Sequence, residues 1–416
     1  MKSFFLLKNR IRNYEWGDRH YIPDFLGLSE SGDKPYAEMW MGAHPLASSS
    51  LTVESPGNKG KELELIEFIS ADSKNVLGPD ISREYGRLPF LFKLLAAGES
   101  LSIQAHPDKK TAEEGFERED RAGIPRDAPE PNYRDDNHKP EIIMAVTEFS
   151  AMIGFREPRE IFKSFAELSL DSKAAGLLAA AEKADRTSSS GALRIFLEGF
   201  LTLEMESRTQ LLDSVSEVSE SPQCSWTALQ RHWVNRLVAD FPGDIGALAP
   251  LLLHLVVLNP GEALYQPPGS LHAYLEGFGV ELMANSDNVL RGGLTEKHID
   301  VQELLKILSF EASEPAVLEP GEPDRQGIRY YPVPVKEFAL GQTDCIPGKE
   351  TVLQPGSGPL IILVMSGEIH LSDGRDEAGL KRGESAFIPW NAGEVRVAGN
   401  GRAVFASVGG RDEIMD

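Results

Sequence analysis

The strongest constraint on the fold is that the local periodicity changes character twice along the chain. From the start to about residue 155, short apolar runs such as Phe90 to Leu95, Leu101 to Ala105 and Ile142 to Val146 are separated by Gly, Pro and Asp, the pattern of short strands. A helical piece is expected within this stretch at Lys61 to Ala71. From about Glu157 to Phe241 the pattern is helical: Ile161, Phe162 and Phe165 share one face, Ala174 to Lys183 is dense in helix formers, and Asp171, Ser190 and Ser225 are N-cap candidates. Strand character returns at Glu262 to Gln266, a helix is expected over Val301 to Leu308, and from Pro332 onward Leu360 to Val364, Glu368 to Leu371, Ser385 to Ile388 and Arg402 to Val408 alternate with Gly-rich turns. The chain therefore reads as mainly β with a helical insert.

Charge and composition narrow the partners. A formal net charge of -22 over 416 residues disfavours nucleic acid and anionic membranes, so an anionic substrate would need a local cationic pocket. The N-terminal apolar run of four, Phe4 to Leu7, is too short for a signal peptide and reads as a first strand. The longest apolar stretch, Ala247 to Leu258, falls short of the ~20 residues that span a bilayer. Cys224 and Cys345 are far apart and outside any CxxC spacing, which fits a reducing, cytoplasmic location and gives no thiolate zinc site.

Three segments carry chemistry. In Ser102-Ile103-Gln104-Ala105-His106, the two-residue period of a strand sends Gln104 and His106 to one face. A lone strand histidine is more often a structural, hydrogen-bonded residue. In Asn137-His138-Lys139-Pro140-Glu141, the carboxylate opens an apolar strand, with a solvated charge cluster as the bland alternative. The third runs from Pro267 through His272 and Tyr274, then Glu281 to Thr295 with Asp287 and Arg291; dense in polar groups and without clear amphipathic period, it reads as a functional loop. Together the segments offer two imidazoles, a carboxylate and an amide oxygen, a donor set suited to zinc with a position left for water or substrate oxygen.

These segments also carry a resemblance. Gln104-Ala105-His106-Pro107-Asp108-Lys109, His138-Lys139-Pro140-Glu141 and Met283-Ala284-Asn285-Ser286-Asp287-Asn288-Val289-Leu290-Arg291 resemble the signatures of the type I phosphomannose isomerase family, and the similarity runs in order along essentially the whole chain, including Asn9 to Gly17 and Tyr36 to Gly42. The resemblance implies a bicupin of jelly-roll β-barrels plus an α-helical domain: a catalytic zinc-binding cupin domain at 1-155 with 257-315, a helical insert at 156-256 and a C-terminal cupin-like domain at 316-416. It implies one Zn2+ per chain on Gln104, His106, Glu141 and His272, with Arg291 as an essential arginine. The expected reaction is aldose-ketose isomerisation of mannose 6-phosphate and fructose 6-phosphate through a cis-enediol, which needs a base between C2 and C1. Glu281, the preferred base, and Lys139 are the candidates, with His138 assisting ring opening. Arg291, Lys297 and Lys93 are candidate phosphate cations, the alternative for Lys93 being a solvent-facing strand residue; Ser102, Tyr274 and Asp287 complete the expected substrate contacts. One departure is Glu296, which stands beside Lys297 where the family commonly has proline.

Other classes fit less well. A cupin iron oxygenase would open its face with a His-x-His pair, and here Gln104 takes the first place. A metal-free sugar-binding bicupin has no need of all four donors together, and a cupin regulator would need a basic recognition helix that the sequence lacks.

Overall fold

The computed structural model describes residues 2–29, 31–53, 60–125, 131–356 and 358–410; the outer ends of the expected domains, Met1 and 411–416, lie outside them. Its framework is two antiparallel sheets. At the centre of the first runs one long strand, His272–Ala284, paired along one edge with Phe90–Ala97 (Glu281 opposite Lys93) and along the other with Glu141–Ala145 (Met283 opposite Glu141). Nearer its start it pairs with Phe149–Phe155, and His272 lies opposite Gln104 of Ile103–Ala105. The register shifts between Tyr274 and Glu276. There Gly277 takes φ +132, and a Cβ on it would stand 2.7 Å from the Glu148 carbonyl, so the bend requires glycine.

The polar stretch expected as a loop is thus largely strand: it continues to Ala284 and resumes as Leu290–Gly293. Amphipathic alternation is missing because both faces are buried. Outward-facing Phe90, Phe92, Leu94, Ile142, Met144, Val280 and Leu282 pack against Ile361, Leu363, Phe387, Val404 and Ala406 of the second sheet. The inward face holds the polar residues described below.

The second sheet is built on Leu360–Ser372 and Val395–Ser407. The first is one strand where the sequence shows two, because Gly367 at φ +72 sits just beyond a register shift and lets the backbone of Asn400 approach where a Cβ would clash. Phe5–Lys8 pairs with Ser385–Ile388 and with Ser50–Val53, which in turn pairs with Lys61–Glu64. Three strands from the first 64 residues therefore join the C-terminal sheet, across the boundary expected between 1-155 and 316-416. The helix expected at Lys61 to Ala71 begins only at Leu65, since edge pairing takes the first four residues.

The helices Pro158–Phe165, Ser172–Asp185, Ser189–Leu201, Met205–Asp213, Val215–Glu220 and Ala228–Asp240 lie between strands Phe149–Phe155 and Leu253–Leu258, which pair with each other. The helical segment is thus an insertion between two neighbouring strands, with Phe162, Phe165, Phe196 and Phe200 packed in its core. Asp171 caps its helix by accepting from the Ala174 amide. The other two caps shift by two residues, to Ser188 and to Thr227, whose capping box with Gln230 satisfies two amides where Ser225 would satisfy one. Among the described residues no helix is long and apolar enough to cross a membrane, and Ala247 to Leu258 divides between a 3-10 turn, Ile245–Leu251, and strand Leu253–Leu258.

Phe387 is fully buried between the sheets. Phe387→Ala should lower stability by about 3–5 kcal/mol in denaturant unfolding; a loss below about 1 kcal/mol would show that this interface contributes little to folding.

Candidate metal centre

His106, Glu141 and His272 arrive from three segments, and one donor atom from each lies within 4.8 Å of the other two. Both imidazoles are fixed in the same tautomer. His106 Nδ1 is 2.7 Å from the Asn288 carbonyl and His272 Nδ1 is 3.0 Å from the Ser270 carbonyl. A carbonyl can only accept, so each Nδ1 carries the proton and each Nε2 presents a lone pair. Both Nε2 atoms face Glu141 Oε2 at 3.4 Å, and His106 Nε2 and Glu141 Oε2 have no hydrogen-bond partner despite complete burial. Three acceptors aimed at one another without a proton among them are unfavourable unless a cation sits between them. The donor set, two imidazoles and a carboxylate, fits zinc.

Gln104 joins this group. Its Nε2 is 3.5 Å from His272 Nε2, and the amide turned over would present Oε1 to the same point. Glu141 divides its carboxylate, with Oε2 toward the imidazoles and Oε1 3.0 Å from Lys139 Nζ. Burial and then the Lys139 charge push His106 down to about 4. Burial pushes the Glu141 carboxyl up, but Lys139 and His106 outweigh it and hold the group well below the usual carboxylate range. Near neutral pH both groups are therefore already in the protonation state that a metal requires.

Beneath the triad lies a buried polar chain. Lys93 Nζ is 2.8 Å from Glu281 and 3.4 Å from Glu38, which also accepts from Trp40 Nε1. The Tyr274 hydroxyl lies 3.1 Å from Glu281 and 3.0 Å from Gln266. These positions bear on three expectations. Lys93 is neither solvent-facing nor available to phosphate: although burial pushes its ammonium pKa down, Glu281 and Glu38 more than reverse this. Tyr274 is spent on a glutamate and a glutamine. Glu281, whose carboxyl burial pushes up, lies on the same inward face as Glu141 and is bonded to Lys93 and Tyr274. His138 Nε2 lies 2.7 Å from Glu337 Oε1.

The cationic group forms around Arg291, which lies opposite Gln104 in register. Burial and then Arg134 push its pKa down, and Arg291, burial and Arg134 do the same to Lys297. None of these three side chains is ion-paired with a carboxylate among the described residues, Glu296 included. Asp287 contacts His44 Nε2 at 3.4 Å; burial pushes its carboxyl up and His44 more than offsets this. Ser102 is half-buried and its hydroxyl makes no hydrogen bond among the described residues.

Sequence reasoning missed Arg134, His44, Asn288 and Glu38. Asn288 is fully buried: its carbonyl fixes His106, and its side chain accepts from the Arg134 amide at 2.7 Å and donates to the carbonyls of Asp135 and Asn137 at 2.8 Å. Its place in the Asn-Ser-Asp-Asn run was the available signal. His44 could be noticed only as a histidine in the Trp40 to His44 strand end.

Fold and site together define a cupin metalloprotein with a helical insert. The model of the phosphomannose isomerase type I catalytic domain matches residues 4–158, and that of the mannose-6-phosphate isomerase cupin domain matches 328–408. The mannose-6-phosphate isomerase of Escherichia coli K12 is 39% identical, over 95% of this chain and 97% of its own; that of Rattus norvegicus is 33% identical, over 88% and 90%. A solved single-residue variant of phosphomannose isomerase from Salmonella typhimurium aligns with a TM-score of 0.88 at 34% identity, over 98% of this chain and 99% of its own. A mannose 6-phosphate isomerase solved in a holo, zinc-bound form aligns at 0.86 and 35% identity, with the same coverage. The chain belongs to the type I phosphomannose isomerase family.

Two outcomes follow from the geometry. His272→Ala should abolish stoichiometric zinc binding measured by elemental analysis; retained zinc would contradict the ligand set. For the metal-free protein, the folded-state pKa of His106 lies below its unfolded value, so its contribution to stability is complete above about pH 6.5. That contribution should shrink as pH falls from there toward 4, as His106 charges in the unfolded chain first. Denaturant unfolding of chelated protein should show this decline, and a flat profile would contradict a buried neutral His106.

Proposed function

We propose that this chain interconverts D-mannose 6-phosphate and D-fructose 6-phosphate, with one zinc ion on His106, Glu141, His272 and Gln104. The observation that carries the reading is the pairing of an acceptor-only triad with three cations that lack carboxylate partners among the described residues, in a chain of net charge -22. Bound zinc supplies a Lewis acid for the oxygens at C1 and C2.

The remaining work falls to side chains. Arg291 offers a planar fork to phosphate oxygens, and Arg134 and Lys297 add charge whose mutual repulsion a phosphate relieves. Transfer between C2 and C1 needs one group that takes a proton from the first and returns it to the second. Lys139 is taken as the base in preference to Glu281, because its nitrogen touches the ligand Glu141 while both carboxylate oxygens of Glu281 are bonded, one to Lys93 and the other to Tyr274. Asp287 stands beside His44 as a contact for sugar hydroxyls. The buried free thiols Cys224 and Cys345 support a cytoplasmic site of action, and the negative surface supports a small-molecule partner over nucleic acid or membrane.

Run in deuterated water, isomerisation should place some deuterium in the product, because part of the protons taken up by Lys139 exchange before they return; a product free of deuterium would point to hydride transfer. Lys139→Met should bind zinc and lose turnover, and an active Lys139→Met variant would remove the lysine from the proton path. Arg291→Lys keeps charge but loses the fork, and should cost on the order of 1 to 3 kcal/mol in transition-state stabilisation from kcat/KM.

A further inference from the structure

Besides the apolar packing between the sheets, the C-terminal domain makes a polar contact with the segment that carries Lys139 and Glu141, through Glu337 and His138. Residues 138 to 144 alternate about the sheet: Lys139, Glu141 and Ile143 face the barrel interior, whereas His138, Ile142 and Met144 face outward. Pro140 restricts Lys139 to extended backbone, so directions at 138 and 139 are coupled. The Pro140 carbonyl accepts from the Ala284 amide at 3.1 Å, which pins the far end of this short segment. The near end is held by the 2.7 Å bond between His138 Nε2 and Glu337. Glu337 is itself well anchored: Val335 and Phe338 on either side are buried in the core shared by the two sheets, and the Lys336 carbonyl accepts from Gly409 at 3.1 Å. The bond is largely shielded, since the Glu337 side chain is 12% exposed.

We propose that Glu337 is a positioning residue for the isomerisation: by holding His138 outward it directs Lys139 onto Glu141, so the C-terminal barrel contributes to proton transfer without touching the sugar. The proposal rests on Lys139 as the base. It also gives His138 an anchoring role in place of assisting ring opening.

The test compares Glu337→Ala, Glu337→Gln, His138→Ala and the Glu337→Ala, His138→Ala double variant in the full-length zinc enzyme, reading kcat, KM, bound zinc and deuterium uptake per turnover. Glu337→Ala should lower kcat on the order of ten- to a hundredfold, the scale of a displaced catalytic group, with zinc stoichiometric and KM within about twofold because the phosphate site is untouched. Deuterium uptake per turnover should rise, since a loosely held ammonium exchanges longer before returning its proton. Glu337→Gln still accepts from His138 and should recover most of kcat. The double variant should be no worse than either single one, as for two ends of one tether.

Wild-type kcat and exchange in Glu337→Ala would overturn the proposal, as would additive losses in the double variant, which would mean that His138 acts independently of Glu337. Should Glu337→Ala fail to fold, His138→Ala decides alone: raised exchange supports the tether and unchanged exchange overturns it. Lys139→Met in parallel separates the two levels. If it is active, the base assignment has failed. If it is dead while Glu337→Ala is normal, only the tether has failed.

Discussion

Everything in this site follows from placing ionisable groups on the buried inward face of an antiparallel sheet. The interior of the first barrel buries the carboxylates of Glu38, Glu141 and Glu281 against the ammonium groups of Lys93 and Lys139, three against two. Charges removed from water persist only when paired and hydrogen-bonded. Glu38 and Glu281 share Lys93, Glu141 takes Lys139 on one oxygen, and its other oxygen meets two imidazole lone pairs. A divalent cation at that point turns an excess of one negative charge into one positive charge, which suits a reaction whose enediolate carries a single negative charge. In the proposed reading, phosphate would be held apart from this balance by the Arg291, Arg134 and Lys297 group.

The architecture explains how so polar an interior is kept in place. His272–Ala284 contributes His272, Tyr274 and Glu281 to the inside while its other face forms the interface with the second sheet. Sheet packing and site geometry therefore share one strand. The helical insert leaves and re-enters through the paired strands Phe149–Phe155 and Leu253–Leu258, where the register shifts between Leu253 and His254, and its aromatic residues join a core shared with the barrel residues Ile103, Ala105 and Met152.

The fold class was legible because its signals are local: strand-like runs with turn residues, then an interval of helical period, then strands again. The donor segments were legible because Gln104 and His106 sit two apart on a strand, and the resemblance supplied the rest of the ligand set. What was not legible depends on contacts distant in sequence. Phe5 pairs with Phe387 and Ser50 with Glu64, and neither pairing leaves a local trace. No spacing reveals that Lys93 lies opposite Glu281, and the contact of His138 with Glu337 depends on a segment nearly two hundred residues away. Of the stretch read as a loop, residues 285–289 are irregular, while His272–Ala284 and Leu290–Gly293 are strand; a strand buried on both faces loses the alternation that marks a strand.

The central claim is that the acceptor-only triad exists to hold one zinc ion for isomerisation of mannose 6-phosphate. Metal-free protein, prepared by chelation and titrated with zinc while fructose 6-phosphate formation is followed in a coupled assay, tests it directly. Activity should be absent at the start, rise linearly and stop rising at about one zinc per chain, the stoichiometry of a single three-residue site completed by Gln104. Full activity in the metal-free protein, or zinc bound at one per chain with no turnover of mannose 6-phosphate, would contradict it.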